Sequence, residues 1–255
     1  LDFLNILDKK ANLNNNAPEK YRGVNRFEAR KILVSELKNH GKITKIIDNK
    51  MVIPVGDRSG EILEPLLTDQ WFLDAKKICI EVEKAIKDKK IKFHPSSWMN
   101  TFKHWIKNIE PWCISRQIWW GHRIQIWYSD SNDVVAAKSK LDAEKLLKKK
   151  NKSARIISQD KDVLDTWFSS ALWPFSTLGW PNDNVLLKKF YPTSVVVTGF
   201  DIIFFWVARM IMMGIEFMKE VPFENIYIHP LVKDENGQKM SKSKGNVIDP
   251  LKLID

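Results

Sequence analysis

The sequence SVVVTGFDIIFFW, residues 194–206, carries the clearest fold signal in this chain. Its first five residues are a mostly β-branched run that predicts a strand, Gly199 begins a turn, and Asp201 can cap a helix. The apolar residues that follow predict a helix over 202–218, and a second apolar strand follows at 226–228. A strand, a helix and a strand in this order predict an α/β fold with a parallel, doubly wound sheet.

Residues 194–218 are apolar enough for a membrane span to be an alternative. About a dozen Val, Ile and Phe contribute roughly −4 to −7 kcal/mol on an insertion scale, whereas Asp201 and Arg209 cost roughly +2.5 to +3.5 kcal/mol each. The uncharged pieces are also far shorter than the roughly 18 residues that a spanning helix needs. A buried core helix is therefore favoured, and we expect no membrane partner.

The composition is that of a globular protein of one or two domains, with 255 residues, 44% hydrophobic and 28% charged. Disordered, collagen-like and disulfide-rich classes are excluded. Cys79 and Cys113 offer no zinc-ligand set, and we expect reduced, buried thiols in a cytoplasmic protein. Neither GxGxxG nor GxxxxGKS/T occurs, which excludes two common nucleotide-binding motifs. The chain begins without Met and ends inside an expected element, which favours a segment of a longer protein.

Two segments hold the net charge of +10. Residues 138–155 contain eight Lys or Arg and two acids, and residues 76–92 contain seven Lys and three acids. Such local runs are typical of solvated helix ends or loops, and direct contact with an RNA backbone is the alternative.

Periodicity and turn residues predict the other elements. These are a helix over 26–39, a hairpin over 51–63, a helix over 74–88, a helix over 97–109 that ends before Pro111, a polar stretch over 129–161 with weak periodicity and one short helix near 141–149, and a turn over 234–237. Tryptophans 98, 105, 112 and 119 are seven apart, but Pro111 interrupts the coiled-coil seam that this spacing would otherwise indicate.

Near the carboxyl end, KMSKSKG at 239–245 places three ammonium groups on a loop of small residues. Charge pattern alone is typical of a solvated basic turn. A loop of this kind can also coordinate phosphate, where flexible lysines stabilise the negative charge that develops as pyrophosphate leaves a triphosphate.

The string KMSKS at 239–243 resembles the signature of class I aminoacyl-tRNA synthetases. Within that class, other stretches resemble the valyl enzymes: WCISRQ at 112–117, WWGH at 119–122, DTWFSSALW at 165–173 and GFDIIFFW at 199–206. The resemblance covers 105–255 strongly and 1–104 more weakly. It implies the second half of a Rossmann-type doubly wound sheet, preceded by the tail of an inserted α+β editing domain. The implied divisions are 1–66 for that tail, 67–110 for a connection, and 111–255 for the catalytic half with a polar insertion at 129–161.

The resemblance also implies site residues. As catalytic cations it implies Lys239 and Lys242, with Lys242 the first choice for phosphate contact. For ATP it implies Lys239, Met240, Ser241, Lys242 and Ser243 of the loop, with His229, Gly199 and Asp201. For the amino acid it implies Trp167, Ile202 and Trp206 as apolar walls and Asp201 as the anchor of the α-amino group. Taken singly, a Trp is more often a core residue and Asp201 more often a helix cap.

The implied reaction is the attack of the valine carboxylate on the α-phosphate of ATP, with Mg²⁺, followed by transfer to the 3′ end of the tRNA for valine. A monomeric full-length protein is expected, and no structural zinc, because 129–161 contains no cysteine. A His-Ile-Gly-His-type signature is absent, so the segment alone is expected to be inactive, and the family's editing residues lie mostly upstream of Leu1. An isoleucyl enzyme and a non-catalytic RNA-binding module are the alternatives.

Overall fold

A computed structural model describes residues 3–56, 59–241, 245–247, 249, 251 and 254. The chain divides into two compact units, Leu1–Asp69 and Gln70–Asp255. The α-helix described in the first unit is α1 (Arg26–Asn39). Those of the second unit are α2 (Ala75–Lys87), α3 (Trp98–Lys107), α4 (Lys140–Lys150), α5 (Thr166–Ser170), α6 (Trp173–Ser176), α7 (Val185–Phe190) and α8 (Arg209–Met213). The strands are β1 (Phe72–Leu73), β2 (Lys92–His94), β3 (Trp112–Cys113), β4 (Ser115–Arg116), β5 (Ile126–Ser129), β6 (Val134–Ala136), β7 (Ile156–Gln159), β8 (Val163–Leu164), β9 (Thr193–Gly199) and β10 (Phe223–His229).

The first unit contains the predicted helix over 26–39 as α1, whose N-cap is Asn25. The hairpin predicted over 51–63 is reduced to one antiparallel bridge between Val55 and Ile62. Pro54 has no N–H to donate to a ladder, and the side chain of Val52 is exposed, so a strand at 51–55 would gain little from burial.

Helices α2 and α3 follow β1 in the second unit and pack against each other. They confirm the helices predicted over 74–88 and 97–109. The carboxylate of Asp74 caps α2 by accepting a hydrogen bond from the backbone of Lys77. Helix α3 ends before Pro111, so the tryptophans spaced by seven do not form one helical seam.

The central sheet of this unit is parallel, with the strand order β2-β10-β9. Strands β9 and β10 confirm the two strands predicted around 194–198 and 226–228, and the helical segment between them completes a βαβ unit. Strand β2 was not predicted. It places Phe93 opposite Ile226 in the core, and three residues are too few to give a periodic signal.

The helical segment 200–218 confirms the predicted core helix, although it is not uniformly α-helical. It begins with a 3₁₀ turn and contains two π-helical stretches on either side of α8. Every residue from Arg209 to Met213 is buried, as expected of a helix that is surrounded by the core. The interpretation of Asp201 as a helix cap is wrong: Gly199 occupies the cap position, and no side chain caps this end. Among the described helices, none combines the length and apolarity that crossing a bilayer requires.

The stretch 129–161 is more regular than its sequence indicates. The antiparallel sheet β6-β5-β7 packs against α4 and has its own small core of Val135, Ala143, Leu147, Ala154 and Ile156. The short helix predicted near 141–149 is confirmed as α4. The strands were missed because each has only three or four residues, too few to give a periodic signal.

The two cysteines do not share one environment. Cys79 on α2 is buried, and its burial raises the pKa of the thiol to about 12. Cys113 is only half-buried, so the prediction of two buried thiols is wrong for this residue. Both are free.

Candidate functional site

The carboxyl ends of β9 and β10 bring three of the predicted ATP-binding residues together. Gly199 and His229 are register partners at the ends of the two parallel strands. A Cβ on Gly199 would lie 2.7 Å from Oδ1 of Asp201 and 3.2 Å from Cδ2 of Leu231, so these two side chains approach the backbone closely and would have to shift to admit a larger residue. Nδ1 of His229 lies 2.8 Å from the carbonyl oxygen of Pro230, and since a carbonyl only accepts, Nδ1 is the donor.

The basic loop reaches this edge of the sheet through its first lysine. Nζ of Lys239 lies 3.3 Å from Oδ2 of Asp201. Lys239 also forms an antiparallel bridge with Lys233, which confirms the turn predicted at 234–237 and makes it the tip of a hairpin. Met240 and Ser241 follow in half-buried positions. Lys242 and Ser243 lie outside the described residues, so their predicted roles stay predictions.

Two polar side chains that the sequence did not single out organise the hairpin and the start of the loop. Oδ1 of Asp234 accepts hydrogen bonds from the backbone of Asn236 and Gln238. Nδ2 of Asn246 donates to Oδ2 of Asp234 at 2.7 Å, and its Oδ1 accepts from the backbone of Ser241 at 2.9 Å. The Asn-Gly turn was a local sequence signal for the role of Asp234. No local signal indicated that Asn246 pairs with Asp234 across the loop.

The two predicted tryptophan walls lie on adjoining helices. Trp167 belongs to α5, Trp206 belongs to the helical segment 200–218, and both are half-buried. Nε1 of Trp206 lies 3.3 Å from the carbonyl oxygen of Ser170, the last residue of α5. Ile202 is half-buried in the turn that precedes Trp206, directly after Asp201 in the chain. The structure therefore links the indole of Trp206 to the end of the helix that carries Trp167, and it places Asp201 at the start of the segment that carries Trp206.

The pair of Lys239 and Asp201 bears on what Asp201 can bind. Two-thirds of the Lys239 side chain is exposed, and an ion pair this exposed contributes only about 0–1 kcal/mol. A ligand ammonium could displace Lys239 from the carboxylate at small cost. Displacement would free the Lys239 ammonium for a negatively charged group nearby.

A cleft of about 910 Å³ lies elsewhere, at the amino ends of β9 and β10. It is lined by both signs of charge, including Lys84, Lys219, Glu81 and Glu224. In open α/β sheets ligands bind outside the carboxyl ends of the strands. We therefore place the candidate site at Gly199 and His229 rather than in this cleft.

The two basic runs differ in their ion pairs. In the run 76–92, Lys76 pairs with Glu110 at 2.9 Å, and Lys84 and Lys92 have acidic partners as well. The ion pairs found among the described residues include none from the run 138–155. The first run is thus partly neutralised within the fold, whereas the lysines of α4 face solvent. Over the part of the chain that is described, no group of three His, Cys, Asp or Glu could hold a metal ion.

The sequence is also similar to that of known proteins. The family model described as "tRNA synthetases class I (I, L, M and V)" matches residues 8–255. The valine--tRNA ligase of Pelagibacter ubique is 54% identical over 259 residues, and that of Caulobacter vibrioides is 52% identical over 255. Each match covers 100% of this chain, but the chain spans only 29% and 28% of those two relatives.

A solved structure supports the fold. Methionyl-tRNA synthetase of Mycobacterium tuberculosis, bound by methionyl-adenylate, superposes with a TM-score of 0.52 at 19% identity. The match covers 79% of this chain and 33% of that chain. The α/β fold with a Rossmann-type parallel sheet is thereby confirmed.

Proposed function

The chain belongs to the class I tRNA synthetase family of the isoleucyl, leucyl, methionyl and valyl enzymes, and from this premise we propose that it is the KMSKS-bearing part of a valine–tRNA ligase. The full-length protein would attach valine to its cognate tRNA through a valyl-adenylate. The relatives named valine--tRNA ligase are about half identical to this chain over its whole length, and this supports the valyl choice over the isoleucyl alternative.

One observation carries the proposal: Lys239 of the basic loop meets Asp201 at the carboxyl ends of β9 and β10. In the proposed reaction a valine carboxylate oxygen attacks the α-phosphate of ATP, and the bond to pyrophosphate breaks. Negative charge builds up on the phosphate oxygens, and lysine ammonium groups fixed nearby stabilise it more in the transition state than in the ground state. Lys239 and Lys242 would perform this task, since phosphoryl chemistry relies on position and charge.

For the amino acid, Trp167, Ile202 and Trp206 would supply the apolar walls, and Asp201 would bind the α-amino group. The ammonium of valine would then displace Lys239 from Asp201. This exchange would couple occupation of the amino-acid site to release of a cation for the triphosphate.

The metal is expected to arrive with the nucleotide. Mg²⁺ keeps several waters and usually binds through substrate phosphates and one or two carboxylates rather than in a protein cage. The roles proposed for ATP, Mg²⁺ and the tRNA for valine all refer to the full-length protein, and the assignment of 1–66 to the tail of an editing insertion stays a prediction.

Amino-acid-dependent exchange of pyrophosphate into ATP tests the proposal on the full-length protein. We expect exchange with valine and much weaker exchange with isoleucine. Exchange with threonine should be measurable, because an apolar pocket discriminates between the isosteres valine and threonine by only about 10²-fold. Exchange with isoleucine in preference to valine would establish the isoleucyl alternative. Salt-sensitive RNA binding without any exchange would instead favour a non-catalytic RNA-binding module that uses the unpaired lysines of α4.

A further inference from the structure

A buried carboxylate joins three segments behind the tryptophans. Asp165, between β8 and α5, is only 5% exposed. Its Oδ2 accepts hydrogen bonds from Nε1 of Trp112 at 3.0 Å and from Arg116 at 2.9 Å. A guanidinium nitrogen of Arg209 on α8 lies 3.4 Å from the same oxygen. One carboxylate oxygen therefore collects donors from β3, β4 and α8.

The other oxygen of Asp165 holds α5. Oδ1 accepts a hydrogen bond from the backbone N–H of Trp167 at 3.1 Å, which caps the helix. A helix of five residues cannot persist by its own hydrogen bonds, so its position depends on this cap and on packing. At its other end, the carbonyl of Ser170 accepts the indole N–H of Trp206. Movement of α5 would therefore move Trp167 and release Trp206.

Arg209 needs Asp165 as its counter-charge. Its guanidinium lies 3.8 Å from the ring centroid of Trp112, and its side chain is 11% exposed. Burial lowers the pKa of Arg209, and the charge of Asp165 opposes that shift. A buried cation that loses its partner is strongly destabilising, so the cluster holds its geometry only while the carboxylate is charged and in place.

We propose that Asp165 is a positioning residue that sets the width of the amino-acid pocket by fixing α5, and through α5 both Trp167 and Trp206. It does not touch the substrate. The inference rests on the proposed function, since it takes the two indoles as walls of the valine site. It assigns a role in specificity to a residue that the sequence offers only as part of a motif.

The test is pyrophosphate exchange by the full-length protein carrying Asp165→Asn. An amide keeps only one acceptor oxygen, so its NH₂ must face either the donors of Trp112, Arg116 and Arg209 or the backbone N–H of Trp167 that caps α5. In either orientation a donor meets a donor, and the cluster must rearrange. We expect kcat/KM for valine to fall by about tenfold or more, mainly through KM, because small displacements of positioning groups have effects of this size. The ratio of kcat/KM for valine to that for isoleucine should fall by a similar factor, whereas KM for ATP stays unchanged.

Asp160→Asn is the matched control. Asp160 is also buried and also accepts from an indole, that of Trp71 at 2.7 Å, but it contacts neither α5 nor Arg209. This variant should leave the ratio of valine to isoleucine unchanged. If Asp165→Asn does not fold, Arg209→Met removes the buried cation instead, and it should shift the ratio in the same direction by a smaller factor.

An unchanged ratio in folded Asp165→Asn, or an equal shift in Asp160→Asn, would overturn the inference. A wild-type protein that does not exchange with valine at all would mean that the proposed function is wrong. The two failures are therefore distinguishable before any variant is compared.

Discussion

Replacing Lys239 with alanine is expected to lower kcat for valine-dependent pyrophosphate exchange by about 10²- to 10³-fold, the loss typical of removing one group that stabilises transition-state charge. The valine KM should stay unchanged or fall, because Asp201 loses the lysine that competes with the substrate ammonium for its carboxylate. A fall in kcat without a rise in KM is the pattern of an interaction made only in the transition state.

Lys233→Ala is the control for this variant. Lys233 lies opposite Lys239 in the hairpin and has the same charge, and its removal should change kcat by less than about threefold, as expected for a surface residue away from the reacting groups. Lys242→Ala should resemble Lys239→Ala if the prediction for that position is right. Equal losses of rate and of valine affinity in Lys239→Ala would show that the loop has only a structural role.

Replacing Phe175 with alanine is expected to lower the free energy of unfolding by about 3–5 kcal/mol, the range for deleting a buried aromatic ring. The side chain is completely buried in α6, and its ring lies 5.2 Å from that of Trp180 and 6.1 Å from that of Tyr191, centroid to centroid. These partners cannot close the space without moving the surrounding chain. Urea-induced unfolding followed by tryptophan fluorescence measures the loss.

Phe190→Ala is the comparison. This ring is 48% exposed at the end of α7, so its removal leaves little cavity and should cost about 1 kcal/mol or less. Similar losses from the two substitutions would mean that Phe175 is not packed as described. Trp173 of α6 lies 5.8 Å from Trp206, centroid to centroid, so Phe175→Ala should also raise the valine KM in the full-length protein.

The βαβ unit was predictable because its signals are local. A β-branched run, a glycine and a long apolar segment specify β9 and the core helix from neighbouring residues alone. The same holds for α1, α2 and α3, whose apolar residues recur at helical spacing. The strand order of the sheet was harder to predict from the sequence. Strand β2 contributes only three residues, and its partner β10 lies far from it in the sequence.

The site was predictable only in part. KMSKS and the tryptophan-rich stretches resemble a family, and the resemblance, rather than any local rule, assigned roles to Trp167 and Trp206. The contacts that hold these residues join distant segments: Asp165 binds Trp112 and Arg209, and no local periodicity encodes such pairs. The cap predicted for Asp201 failed for the same reason, because its carboxylate contacts a lysine 38 residues later.

A crystal structure of the full-length protein with a non-hydrolysable valyl-adenylate analogue tests the account most directly. The isopropyl group should lie against the rings of Trp167 and Trp206, the α-amino group should contact Asp201, and Lys239 should have left Asp201 for the side of the phosphate. An analogue bound away from the carboxyl ends of β9 and β10, with Lys239 still on Asp201, would contradict the account.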